Sequence, residues 1–260
     1  MSDAAQVQLG KAAKRRREQV QAVVGGDVSV LEIGALDSPM FVEGLGDRVK
    51  HLDWFSREEL HEQHKDNPRR RVTNLVNVDY VIKSHKFAPS IGERFDLIVA
   101  AHVVEHVADI VFWLQQLESL LLPGGSLYLA VPDRRYTFDY YRRTSSVIDM
   151  IRAHEACLDR PDKWQIADAI YHYSAVDRDA LWDGGSPPPF APRFSLPEAL
   201  RRADKRARTY ADVHCWVFTP ESFAEVITQL RSSGFVNLEI ARLEEPRRNT
   251  SEFTVFLSVA

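Results

Sequence analysis

Cysteine is nearly absent from this chain of 260 residues: only Cys157 and Cys215 occur, far apart and in no CxxC pair. That excludes a disulfide framework and a thiolate zinc site, and leads us to expect a reducing, cytoplasmic setting. Long apolar runs are missing too. No stretch reaches the roughly 18 residues that a membrane span needs, and the first residues lack the apolar segment of a signal peptide. No sign of charge dominates. A formal net charge of −4 gives no general attraction for nucleic acid or anionic lipid, so neither is an expected partner, although a local basic groove stays open. The basic cluster Lys14-Arg15-Arg16-Arg17 lies in a helix-compatible stretch, Ala4 to Val24, and reads as a solvated helix face. There is no internal repeat.

What is present is an alternation. Short β-branched or apolar runs at 28–34, 49–53, 75–82, 95–101 and 126–132 predict five strands, the last introduced by the turn Pro123-Gly124-Gly125. Between the fourth and fifth, Ile110, Trp113, Leu114, Leu117, Leu120 and Leu121 keep helical spacing behind Asp109 as N-cap. A second helix starts at Thr219-Pro220-Glu221, carries Phe223, Val226, Ile227 and Leu230 on one face, and stops at Gly234. Two more strands follow near 235–243 and 252–259. This order predicts an α/β fold, a doubly wound, mostly parallel seven-stranded sheet. Residues 134–213 break the alternation. We expect a core of 1–133 and 214–260 with 134–213 as a helical or irregular insert that binds the acceptor.

In such a sheet, ligands bind at the carboxyl ends of the strands. The first strand leads into Glu32-Ile33-Gly34-Ala35-Leu36-Asp37-Ser38-Pro39, where Gly34 lets the backbone approach a ligand and Glu32 sets a carboxylate beside it. A carboxylate there suits a cationic sulfonium and repels a pyrophosphate, which favours S-adenosylmethionine (SAM) over a dinucleotide. Asp53, ending the second strand, stands where an acid accepts ribose hydroxyls; a helix cap is the plainer alternative.

The ordered set VLEIG (30–34), HLD (51–53), RFDLIVAAHVVEHV (94–107), LLLPGGSLYLAVPD (120–133) and FTPESFAEVITQLRSSGF (218–235) resembles the class I SAM-dependent methyltransferases, especially small stand-alone members associated with sugar and polysaccharide O-methylation. The likeness covers the chain outside the insert. It departs from the family in the glycine loop, where Leu36 and Ser38 stand in place of glycines. The resemblance implies that Glu32 and Gly34 lie near the methionine part of SAM and Asp53 at the ribose. It places Asp79 beside the adenine, with a strand-end turn acid as the alternative.

At the end of the fourth strand comes His102-Val103-Val104-Glu105-His106; on a helical turn His102, Glu105 and His106 share a face. With His214, this set resembles the metal-binding E-x-x-E-H plus distant His of small-RNA terminal 2′-O-methyltransferases, with His102 in place of a Glu. The resemblance implies a divalent-metal site of His102, Glu105, His106 and His214. Two imidazoles beside one carboxylate favour manganese, iron or zinc over magnesium. A metal-free reading keeps His102, His106 and His214 as catalytic acid–base groups, with His102 also against the cofactor; a third leaves the histidines structural. The insert opens with Arg134-Arg135-Tyr136-Thr137-Phe138-Asp139-Tyr140-Tyr141-Arg142-Arg143, aromatic and guanidinium groups that suit sugars, bases or phosphorylated acceptors; the alternative is that Tyr136, Phe138 and Tyr140 pack a helix start while the arginines are solvated. His154, Tyr171, His172 and Tyr173 are further candidates for its pocket, without assigned roles. The leading expectation is O-methylation of a saccharide, glycoconjugate or small-metabolite hydroxyl. An RNA terminal-ribose 2′-O-methyltransferase and a non-catalytic SAM-fold scaffold are the alternatives. The oligomeric state is open, a homodimer included.

Overall fold

The structure, a computed structural model, describes residues 11–23, 28–41 and 48–259. Seven strands form one sheet: β1 Val30–Ile33, β2 Val49–Asp53, β3 Tyr80–Val81, β4 Phe95–Ala101, β5 Leu121–Pro132, β6 Leu238–Glu244 and β7 Glu252–Val259. Their order is β3-β2-β1-β4-β5-β7-β6, so the direction of winding reverses between β1 and β4. Two compact units divide the chain. One runs through Ala101 and takes in Ser119–Tyr128; the other holds His102–Glu118 and everything from Leu129 onward.

In the first unit, all four residues of β1 are buried. This is the signature of a parallel strand covered on both faces. It pairs in parallel with β2, Val30 opposite Val49, and with β4, Val30 opposite Leu97. Helix α1, Lys11–Val23, buries Ala13 and Val20, and Gln19 accepts a hydrogen bond from Tyr128 at 3.0 Å. Arg16 also turns inward, 8 % exposed, so the basic cluster is not wholly a solvated face. Residues 4–10 and 24 of that expected helix lie outside the described residues. Helix α2, Arg57–His64, starts on a capping box of Ser56 and Glu59.

The expected third strand, 75–82, shrinks to the two residues of β3. The Asp79 carboxylate accepts the His51 amide at 2.8 Å while the Asp79 amide donates to the His51 carbonyl at 2.9 Å. A side chain thus takes a ladder bond that a strand backbone would have made. The expected turn Pro123-Gly124-Gly125 lies inside the longer β5. A Cβ on Gly125 would come within 2.9 Å of the Leu122 carbonyl oxygen and 3.1 Å of that of Asp96, so the close approach of β4 demands glycine here.

In the second unit, α3 spans Ile110–Ser119, and Asp109 accepts the Phe112 amide at 2.9 Å as its N-cap. The insert folds as helices α4 Val147–Glu155, α5 Lys163–His172, α6 Arg178–Trp182 and α7 Leu196–Arg206. Capping boxes open α4 (Ser146, Asp149) and α5 (Asp162, Gln165). Ile166, Ala167, Ala203 and Ala211 form a small core between α5, α7 and the segment after it. Helix α8, Pro220–Ser232, is capped by Thr219 and ends in a Schellman motif: Phe235 N donates to the Leu230 carbonyl and Gly234 N, at φ +76°, to that of Arg231. Antiparallel β6 and β7 close the edge. Among the described residues no helix is long and apolar enough to cross a membrane.

Candidate active site

The first unit carries the predicted cofactor residues. Past β1 the backbone takes left-handed turns at Gly34 (φ +66°) and Leu36 (φ +45°), and the Ser38 amide donates back to the Ala35 carbonyl at 2.9 Å. Ser38 needs no positive φ, so no glycine is required there; Leu36 carries the strain that a glycine would remove. Glu32 is buried at 2 % exposure. Its oxygens accept the Met40 amide at 2.7 Å and the Phe41 amide at 3.3 Å, and His51 Nε2 lies 3.4 Å away. The Glu32 side chain therefore fastens the loop that follows β1. Asp37, not singled out from sequence, accepts Arg70 and the Arg71 amide and ties the loop down a second time.

Asp53, at the tip of β2, accepts the Phe55 amide at 3.1 Å. Burial pushes its carboxyl above the ordinary value, against the opposing pull of the Phe55 and Trp54 amides. A desolvated carboxylate so placed gains from donated hydroxyl hydrogens, which is what a ribose offers. Asp53 thus fits a ribose, whereas both Glu32 oxygens are already engaged by the loop after β1. Asp79 is occupied at the sheet edge, with Lys50 3.4 Å from its second oxygen.

The second unit brings the histidines together, by a route other than a helical turn. His102 follows β4 at φ +55° with its amide on the Ala130 carbonyl, and Val104–His106 is a single 3₁₀ turn. Glu105 is 1 % exposed, and neither of its oxygens has a hydrogen-bond partner. Three imidazoles face its Oε1: His102 Nδ1 at 3.4 Å, His106 Nε2 at 3.7 Å and His214 Nε2 at 4.0 Å. Burial works against the Glu105 charge, yet these rings, His102 foremost, hold its carboxyl below the ordinary value. His102 is a different kind of member. Its Nε2 lies 2.6 Å from Glu252, and although burial opposes its charge, Glu105 and Glu252 lift its pKa to about 9. With both nitrogens turned to carboxylates, it acts as a cation there.

His106 and His214 each have an aspartate beside Nδ1, but only His214 is hydrogen-bonded to its own. His106 Nδ1 lies 2.7 Å from Asp212, and His214 Nδ1 lies 2.5 Å from Asp139. Both then aim Nε2 at Glu105, with their rings edge to face at 4.8 Å. One donor atom each from Glu105, His106 and His214 falls within 4.8 Å of the others. The backbone explains how a residue so distant in sequence reaches the turn. Cys215 and Trp216 amides both donate to the Glu105 carbonyl, at 2.6 and 3.3 Å, and the Trp216 indole donates to that of Val107 at 2.6 Å. Asp139, Asp212 and Glu252 went unremarked as partners in the sequence; Asp139 lay in the quoted RRYTFDYYRR string and Asp212 two residues before His214.

The other insert candidates separate. Phe138 lies 4.5 Å from the His214 ring and 5.2 Å from Tyr173, and both Phe138 and Tyr173 are exposed. Tyr136 stacks on Trp182 at 4.1 Å. Arg134 donates to the Tyr140 carbonyl. Tyr171 packs edge-on against His172, whose Nδ1 pairs with Asp168 at 2.8 Å, and His154 backs the α3 cap by pairing with Asp109 at 3.0 Å.

A doubly wound sheet with acids at the tips of its first two strands is the architecture of a class I SAM-dependent methyltransferase. The chain matches the family described as "Methyltransferase domain" over residues 10–240, and it belongs to that family. Among curated proteins it is similar to the ubiquinone biosynthesis O-methyltransferase of Chelativorans sp. (strain BNC1), 37 % identical over 59 residues, 23 % of either chain. The match thus spans about a quarter of that relative's length. Among solved structures, one from Rhodobacter sphaeroides named for Zn-dependent alcohol dehydrogenases has a TM-score of 0.52 at 13 % identity, covering 98 % of this chain and 92 % of that one; it speaks for the fold alone. A SAM-dependent methyltransferase from Clostridium acetobutylicum ATCC 824 aligns over 97 % of this chain and 93 % of its own, with a TM-score of 0.48 at 10 % identity.

Proposed function

We propose that the protein is an O-methyltransferase that moves the methyl group of SAM to a hydroxyl of a saccharide, a glycoconjugate or a related small metabolite. The observation that carries this reading is the buried Glu105, without a hydrogen bond, facing the Nε2 atoms of two histidines, of which His214 is held at Nδ1 by Asp139 and His106 has the Asp212 carboxylate 2.7 Å from Nδ1. A hydroxyl is a poor nucleophile until its proton has somewhere to go, and this is a set of proton acceptors waiting for a donor. Bound SAM supplies an activated methyl on a sulfonium centre. Asp53 holds the ribose, and the loop that Glu32 fastens shapes the methionine end. His106 or His214 takes the acceptor's proton at Nε2 as the new oxygen–carbon bond forms and the methyl–sulfur bond breaks, with S-adenosylhomocysteine as the leaving group.

In this reading, residues 1–133 and 214–260 form the SAM-binding core and residues 134–213 take the acceptor. The exposed Phe138 ring, 4.5 Å from His214 and stacked on Tyr173, offers an aromatic surface for a sugar ring. The donor set also fits a divalent cation: Glu105, His106 and His214 would hold it, each histidine backed by a carboxylate as metal-binding imidazoles usually are. Such an ion would act as a Lewis acid and lower the pKa of the acceptor hydroxyl.

The test is transfer from tritiated SAM to methyl glycosides and oligosaccharides, to phenols, and to an RNA oligonucleotide with a free 3′ terminus. Label on a sugar hydroxyl supports the proposal. Label on RNA alone assigns terminal-ribose methylation instead. Calorimetry in which neither SAM nor its demethylated product binds would leave a scaffold.

A further inference from the structure

We propose that Asp139, locked by Arg142, is a positioning residue that fixes His214 in the tautomer protonated on Nδ1, so that the Nε2 lone pair faces Glu105. The inference rests on the function proposed above only in its consequence for turnover; the tautomer stands on geometry.

Asp139 and Arg142 are both 2 % exposed and lie three residues apart after β5. Arg142 Nη1 donates to Asp139 Oδ1 at 2.7 Å. Guanidinium is always charged and only donates, so it demands an acceptor at that oxygen and stabilises an ionised carboxylate. An ionised Oδ2 likewise only accepts. The nitrogen 2.5 Å from it, His214 Nδ1, must therefore carry the hydrogen. In the neutral ring the other nitrogen, Nε2, is then bare. It lies 4.0 Å from Glu105 Oε1, too far for a hydrogen bond, so the lone pair stays available. Arg142 is held in turn: its Nε donates to Asp168 at 2.7 Å, which fixes the guanidinium from the far side. The 214–217 segment cannot drift from this anchor, because Ser145 N and Val217 O hydrogen-bond at 2.9 Å and Ser145 Oγ receives the Val217 amide at 3.0 Å.

The construction predicts what an isosteric change does. In Asp139→Asn, Arg142 still requires an acceptor, so the amide oxygen stays on Arg142 and the NH₂ turns to His214. Nδ1 must then accept, and the ring proton moves to Nε2. The lone pair needed at the cluster is lost although shape and volume are kept.

The experiment is ¹⁵N–¹H correlation spectroscopy of histidine-labelled full-length protein at a pH where His214 is neutral. In the unmodified protein we expect the Nδ1–H pattern for His214; an Nε2–H pattern overturns the proposal without any variant. Asp139→Asn is expected to switch the ring to Nε2–H and to lower methyl transfer to the hydroxyl acceptor found in the tritium assay by about 10- to 100-fold. It should leave SAM affinity unchanged. Asp168→Asn, which removes the charge beside Arg142 and His172 but leaves Asp139 in place, is expected to leave the tautomer as it is; a switch in that variant would take the control away from Asp139. If no hydroxyl acceptor is found, the proposed function fails while the tautomer result stands or falls by itself.

Discussion

Replacing Asp53 by Asn separates cofactor binding from folding. The substitution keeps an amide oxygen where Oδ1 accepts the Phe55 amide at 3.1 Å, so the turn after β2 retains its bond. What it removes is the charge. Two ribose hydroxyls donating to a carboxylate are charge-assisted bonds worth about 1.5–3 kcal/mol each, against about 0.5–1.5 for neutral ones. The difference, about 2–3 kcal/mol for the pair, is roughly a 30- to 150-fold loss of SAM affinity. Folding responds in the opposite direction. Burial raises the Asp53 carboxyl above its ordinary value, so the protonated acid favours the folded state at low pH, and that contribution is lost as pH rises through the folded-state value. At neutral pH the charge is a burden, and Asp53→Asn is expected to melt at or above the temperature of the unmodified protein. Isothermal titration with SAM and a thermal melt at neutral pH give both numbers. Unchanged affinity refutes the ribose assignment, and a clear drop in melting temperature refutes the claim that this carboxylate is held at a cost for binding.

Further outcomes follow from the same geometry. His106→Ala and His214→Ala should each cut methyl transfer by about 10²- to 10⁴-fold with SAM affinity preserved, as loss of a proton acceptor does; near-full turnover in either removes that residue from the machinery. Elemental analysis with a chelator challenge separates two outcomes: a divalent cation that Glu105→Gln no longer retains assigns the cluster to a metal, whereas an active, chelator-resistant, metal-free protein leaves the histidines as bases alone. Asp149, whose pKa is lowered to about 2 chiefly by Arg143, also completes the capping box of Ser146 at the start of α4. Asp149→Ala should cost about 1 kcal/mol near neutral pH. Part of that deficit should vanish as acid titrates Asp149 in the unmodified protein, between about pH 4 and 2; a deficit that ignores pH would contradict the charge argument. Gly125→Ala brings a Cβ within 2.9 Å of the Leu122 carbonyl. A loss of about 1–3 kcal/mol, read in a denaturant titration, is expected, and an unchanged midpoint would mean that the Leu122 turn and the β4 backbone yield freely.

Much of this fold is legible along the chain because its signals are local. Helices α3 and α8 announce themselves through apolar spacing and the caps Asp109 and Thr219, β1 and β4 through short apolar runs, and β2 through a short run ending in Asp53. The third strand is shorter than its periodicity predicts because the Asp79 side chain takes the His51 amide. In the site, Glu105, His106 and His214 stand out as residue types, and the structure brings them to one point. Their supports do not stand out. Asp139 meets His214 across 75 positions and Glu252 meets His102 across 150. No spacing rule reaches so far, and only the folded chain shows which acid holds which ring. The helical-turn geometry expected for His102 to His106 gives way to a left-handed residue and a 3₁₀ turn, which places His102 between two carboxylates.

The most direct measurement is a crystal structure of the protein with S-adenosylhomocysteine. The account requires both ribose hydroxyls within hydrogen-bond distance of the Asp53 carboxylate, with the amino-acid end against the loop that Glu32 anchors. Nucleoside density elsewhere, or a ribose that leaves Asp53 without a partner, would contradict it.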